Sequence, residues 1–233
     1  MLKQPLILTV LIAAPLGAQA PSMAPPAPPP PLAKLQATQV SPYHHVFRMV
    51  SIQGDTLGVL DDQVVKGRDA QGQPAIIRIQ SISGPTGIIL DSAIADAATL
   101  TPRHHSSYSA HRELRIDFDK TRVTGELNDA GHPRPVNQEI KQEMFDSNML
   151  DVLIGALPLA AGYTGRVMVY IYEAGGPIPM DVAVSGSEVV KGTDTWVTNV
   201  TLGRSTVRYY VGKSDHQVAQ VVTPGMKLVR AEP

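Results

Sequence analysis

Histidine is the residue type best suited to chemistry in this chain: there are seven, four of them in the doublets His44-His45 and His104-His105, with His111, His132 and His216 apart. Imidazole binds metals and moves protons near neutral pH. Adjacent residues of a strand point to opposite faces, however, so neither doublet offers two ligands to one ion. His105 and His111 would share a side only across a regular strand, and the Ser106 to Ser109 stretch speaks against one. Cysteine is absent, which removes thiolate nucleophiles, disulfides, cysteine zinc sites and acylation at an N-terminal lipobox. No metal site and no cofactor is expected.

Carboxylates and serines give a similar result. Asp61-Asp62 has the composition of an acid/base pair, but sequence neighbours normally diverge and a turn accounts for them as well. Asp91-Ser92 and Asp146-Ser147 read as turn or cap residues. Gly186-Ser187 is followed by Glu188-Val189, so the G-x-S-x-G elbow of a serine hydrolase is not formed, and a turn beside a strand is the simpler reading. A non-enzymatic protein is expected, with a hydrolase of unknown type as the remaining catalytic alternative.

The elements that would position these residues begin with an export signal. Lys3, the apolar run Leu6 to Ala14 and Ala18-Gln19-Ala20 form the three parts of a secretory signal peptide over residues 1–20. The run is shorter than the roughly 20 residues that cross a bilayer, so no transmembrane span is expected in the mature chain and a periplasmic or extracellular location is. Pro21, directly after the cut, would hinder the peptidase and leaves a displaced cut or an uncleaved tether as alternatives. Residues 21–38 form a proline-rich, disordered linker, since proline fixes φ and removes backbone donors. Residues 39–233 are compositionally uniform and read as one domain. Lys and Arg number 20 against 21 Asp and Glu, without a block of like charge, which excludes a nucleic-acid groove.

From Tyr43 onward the dominant period is two, the mark of strands with one buried face. Leu114, Ile116 and Phe118 alternate with Arg115 and Asp117, turn at Asp119-Lys120 and return through Val123, which predicts a hairpin. In the last third, Val167, Val169 and Ile171 alternate with Met168, Tyr170 and Tyr172, Gly175-Gly176-Pro177 breaks the run, and Val182 with Val184 resumes it. Trp196 to Leu202, Val207 to Val211, Val218 to Val222 and Met226 to Val229 follow, joined by short turns, as in an up-and-down sheet. Val64-Val65, Ile76 to Ile82 and Ile88 to Leu90 are further strands, while Ala93 to Ala98 fits a short helix or a loop. One segment departs from the period: Leu150, Leu153, Ile154 and Leu157 fall at helical spacing. An amphipathic helix over about 147–157 is expected, capped by Asp146 or Ser147, closed by Pro158 and packed on the sheet.

The run Phe145-Asp146-Ser147-Asn148-Met149-Leu150-Asp151, then Ala156-Leu157-Pro158-Leu159, Gly162-Tyr163 and Val184-Ser185-Gly186-Ser187-Glu188-Val189-Val190-Lys191-Gly192 resembles a family of bacterial envelope proteins known as a domain of unknown function. That family is similar in shape to the outer-membrane lipoprotein carriers. The likeness is best over residues 114–220. Its final Y-W-V-D strand stands here as Arg208-Tyr209-Tyr210-Val211-Gly212-Lys213, without the tryptophan and the acid. The resemblance implies a mainly β fold, a half-barrel of strongly curved antiparallel sheet around one helix, with an apolar concave side that in the carriers shelters acyl chains.

Trp196, the only tryptophan, shares a strand face with Val200 and Leu202, and Val207 with Tyr209 continues it on the next strand. Core packing accounts for such a face; with the resemblance, the same five residues are the expected ligand-binding wall. The expected partner is a lipid or other apolar molecule bound by an exported, non-enzymatic protein. The alternative is a structural or interaction module with an envelope protein partner.

Overall fold

The computed structural model describes residues 29–231, so the expected signal peptide and residues 21–28 of the proline-rich stretch lie outside the described residues. Within them, strands alternate buried and exposed positions as the period-two pattern requires. The first eight form an antiparallel meander: β1 (Tyr43–Ser51), β2 (Thr56–Arg68), β3 (Pro74–Gly84), β4 (Gly87–Asp96), β5 (Pro102–Ser109), β6 (Arg112–Phe118), β7 (Arg122–Asp129) and β8 (His132–Glu139). The chain then crosses over through the short β9 (Phe145–Asp146), a 3₁₀ turn and helix α1 (Leu150–Gly155). A second meander follows: β10 (Thr164–Ile171), β11 (Gly176–Val190), β12 (Thr193–Leu202), β13 (Ser205–Gly212), β14 (Val218–Val222) and β15 (Met226–Arg230).

The last strand of the second meander pairs with the first strand of the first, β15 with β1, so all 15 strands form one sheet, ordered from β8 through β1 and β15 to β9. Only β9 runs parallel to its neighbour. The sheet rolls up without closing, and its ends overlap as two layers. One face of β10 (Val167, Val169) joins the main core, and Tyr170 on the other face joins Leu114, Ile116, Phe118 and Val123 in a second apolar cluster. The rings of Phe118 and Tyr170 meet edge to face at 5.5 Å. Hence β10 buries both faces, where its alternation predicts only one.

Both sheet edges are unsuited to further pairing. Pro133 and Pro135 occupy β8 and have no N–H to offer a new strand. At the other edge the chain before β1 lies along β10, with Arg166 N donating to Pro31 O and Ala33 N to Arg166 O, both at 2.8 Å. Ala37 is buried on the core, so the chain joins the domain before the boundary expected at residue 39.

The helix is shorter than expected and buried all round. Asp146 caps the 3₁₀ turn Ser147–Met149 through Asn148 N, and six α-helical residues follow. Met149, Val152, Leu153, Ile154, Ala156 and Leu157 are all buried, because the sheet wraps the helix instead of receiving one stripe. The roll is thus a curved antiparallel sheet around one helix, as the spacing and the resemblance imply. Other local readings change. Ala93 to Asp96 continue β4, and Ser106 to Ser109 lie in regular β5. Asp61-Asp62 lies inside β2, and Gly186-Ser187 inside β11 at a bulge, so neither is a turn.

Candidate functional site

Strand register assembles a group that no stretch of sequence displays. Antiparallel partners put His45 of β1 beside Asp62 of β2, Asp62 beside Gln80 of β3, Gln80 beside Asp91 of β4, and Asp91 beside Ser107 of β5. The next row holds Tyr43, Val64, Arg78, Ala93 and His105. Side chains opposite one another in register share a face, so these rows form a polar belt five strands wide on the inner face of the first meander.

Arg78 is the centre of the belt and only 3% exposed. Its Nε and Nη2 donate to the two carboxylate oxygens of Asp62 at 2.8 and 2.9 Å, a bidentate pair. Nη2 also donates to Asp151 on α1, and Nη1 to the carbonyl of Asn148 at 2.6 Å. Tyr43 donates its hydroxyl to Asp62 at 3.1 Å. Burial works against the Arg78 charge, and the carboxylates of Asp151 and Asp62 outweigh it, holding its pKa well above the ordinary value. Burial raises Asp151, with Arg78 opposing the rise and Asp62 adding to it. Burial also raises the phenols of Tyr43 and Tyr209.

At the far end of the belt His105 Nδ1 lies 3.1 Å from Asp146 Oδ1, and the His105 ring meets Tyr172 edge to face. Asp91 is raised by burial, opposed by a hydrogen bond from Ser107 and by the nearby Arg78 guanidinium. Asp91 Oδ1, Asp146 Oδ2 and Asn148 Nδ2 are buried without protein partners, as expected where ordered water completes a polar site. No group of three or more potential metal ligands gathers among the described residues.

This arrangement fixes the helix. Arg78 holds it from the sheet side, and on the other side Gly155 packs so closely on the His216 carbonyl that a Cβ would stand 2.2 Å from the oxygen. The Arg78 guanidinium, held by two carboxylates and a carbonyl, thus ties the sheet to the segment carrying the helix.

The five residues expected to line a ligand wall do share one face. Register sets Trp196 beside Val211 and Val200 beside Val207, with Tyr209 between Val207 and Val211. Val200 and Tyr209 are buried members of the main core, and Trp196, Leu202 and Val207 are partly buried against it. Lys213 Nζ sits 4.3 Å over the Trp196 ring.

Asp62 and Asp91, which read in sequence as turn residues, and His105, which reads as half of a doublet, all belong to this belt, and Arg78 at its centre carries no motif. The available signal was a single charge at an inward parity, Arg78 between Ile76 and Gln80. The other histidines behave as expected of a strand doublet: His44 faces out and pairs with Asp61 at 2.9 Å, while His45 faces in and bonds Gln217 at 2.7 Å.

A family model described as "Protein of unknown function (DUF3108)" matches residues 47–224. No curated protein and no solved structure matches the chain.

Proposed function

The chain belongs to the DUF3108 family of proteins of unknown function, and from that premise we propose that it is an exported, non-enzymatic domain of the cell envelope that acts as a structural or interaction module. The observation that carries this reading is the occupied interior. Met149, Leu153, Ile154 and Leu157 fill the space that the curved sheet encloses, packed against Val169, Met180, Val182, Val200 and Val211. The Trp196 face is then a packing wall, not a lipid-lining one. Catalysis needs reactive polar groups open to substrate, and Asp62, Arg78, Gln80, His105 and Asp146 inside the roll are all buried.

The outer surface supports the same reading. Ile79, Ile88 and Leu90 stand exposed on the outside of the adjoining strands β3 and β4, with Leu57 exposed at the start of β2. Clustered exposed apolar side chains are the usual mark of contact with another molecule.

Trp196 is a built-in reporter. Titration with phospholipid carrying brominated acyl chains should leave its fluorescence unchanged; saturable quenching would show lipid reaching the inner wall and overturn the module reading. Fractionation of producing cells tests export, with recovery of the chain outside the cytoplasm expected and cytoplasmic retention contradicting it.

A further inference from the structure

Pairing brings apolar and basic surface together at one end of the sheet. β1 ends there where β2 begins, and β3 ends where β4 begins, so the β1–β2 and β3–β4 turns project side by side. Their aliphatic side chains stand bare: Ile52 in the first turn is 58% exposed, Ile88 beside the second 59% and Leu90 50%, with Leu57 also exposed. Gln53, Gly54, Pro85 and Thr86 at the tips are uncharged. Exposed apolar residues gathered in this way mark contact with a protein or a membrane.

Cations flank these tips. On the outer face, register sets Arg48 in one row with Val59, Ser83 and Ile88. The row nearer the end holds Val50, Lys227, Val222 and Arg208, and side chains in such rows share a face. Arg204 lies on the β12–β13 turn at the same end. All four cations are exposed, and none has an ion-pair partner among the described residues. The stretches 46–60, 79–90, 203–210 and 219–229 build this end, and they hold these four cations against one acid, Asp55, in a chain with 20 Lys and Arg against 21 Asp and Glu. The next acid along β2, Asp61, is paired with His44.

We propose that this end of the sheet docks on an anionic phospholipid bilayer, with Ile52, Leu57 and Ile88 entering the headgroup layer and Arg48, Arg208 and Lys227 meeting lipid phosphates. The unpaired cations call for an anionic partner, and each one near such a surface adds to the attraction. A bilayer suits the tips better than an acidic protein does, because protein hot spots are led by Trp and Tyr seated in pockets, whereas Ile and Leu on projecting turns can reach the acyl boundary. The assignment rests on the module reading and names the contact that the module makes.

The test is co-sedimentation of the chain with vesicles of phosphatidylglycerol and phosphatidylcholine in equal parts, and with phosphatidylcholine vesicles alone. Tighter binding to the anionic vesicles, weakening as salt screens it, is expected. Arg48→Glu/Lys227→Glu and Ile52→Ser/Ile88→Ser, all at exposed positions, should keep the wild-type urea midpoint and each bind about tenfold or more weakly. Wild type and variants share the apolar run Leu6 to Ala14, so a difference between them reports the tips and the cations alone. Absence of binding, equal affinity for both vesicles, or undiminished binding by either variant would overturn the docking. A dimer that the Ser variant dissolves would give the tips to a second copy and overturn it too. In the same vesicles carrying brominated chains Trp196, toward the opposite end of β12, should stay unquenched. Loss of binding with Trp196 unquenched ends the docking alone, whereas quenching of Trp196 ends the module reading and the docking with it.

Discussion

The two meanders bury inner faces of different character: both give apolar residues to the core, Phe47, Leu60, Val64 and Ile76 among them in the first, but only the first adds a belt of buried charged groups. In β10–β15 the inner face is mostly apolar, with Val167, Val169, Met180, Val182, Val200 and Val211 in the core. In β1–β5 it carries Asp62, Arg78, Gln80, His105 and Ser107, each buried. Apolar faces adhere by area, with little preference for position. A bidentate ion pair with further hydrogen bonds demands one geometry, and removal of one partner strands a buried charge. The second meander therefore supplies bulk adhesion, and the first sets where the helix sits.

The largest expected effect is in the belt. Arg78→Met leaves Asp62 and Asp151 without their cation and should cost about 3–5 kcal/mol in urea unfolding. Adding Asp62→Asn and Asp151→Asn should recover most of the loss; no recovery would mean that Arg78 acts by packing alone. On the apolar side Met180→Ala, at a fully buried position of β11, should cost about 2–5 kcal/mol through the cavity it leaves, and Met180→Leu about 1.5 kcal/mol or less. Comparable losses for both would contradict the claim that this wall works by volume.

A pH series separates the halves further. The folded-state pKa of Asp91 is raised, so its favourable contribution is complete below the unfolded value of about 3.9 and fades as pH climbs through the folded value. Asp151 acts in the same direction. Asp91→Asn should therefore gain stability relative to wild type as pH rises from 4 to 8; a constant difference between the two would show that Asp91 does not titrate abnormally. The smallest effect concerns Thr198 of β12, whose buried hydroxyl has no partner. Thr198→Val should stabilise by up to about 1 kcal/mol, and a clear loss by the same measurement would mean that the hydroxyl is satisfied by water.

The same contrast explains which parts were legible. β10 to β15 could be read almost strand by strand because their inward residues are apolar and their turns carry Gly. The helix was located by Leu150, Leu153, Ile154 and Leu157, and its length was overestimated because burial all round leaves no polar face to mark its end. In β2 and β4 an inward Asp62 or Asp91 breaks the apolar alternation and imitates a turn, and the inward Arg78 and His105 of β3 and β5, like them, become sensible only through pairing across neighbouring strands. β8 was missed since Pro133 and Pro135 argue against a strand, and they are tolerated there because β8 is the edge. The Trp196 face was identified as a face correctly, but whether it meets ligand or protein depends on what fills the roll, and the filling comes from residues some 40 positions earlier.

Hydrogen–deuterium exchange across residues 147–157 tests the helix anchor most directly. In the wild type these amides should exchange only with global unfolding, as slowly as β2 and β3, and in Arg78→Met they should exchange ahead of β11 and β12. Rapid exchange of the helix in the wild type, beneath a sheet that stays protected, would contradict an anchored plug.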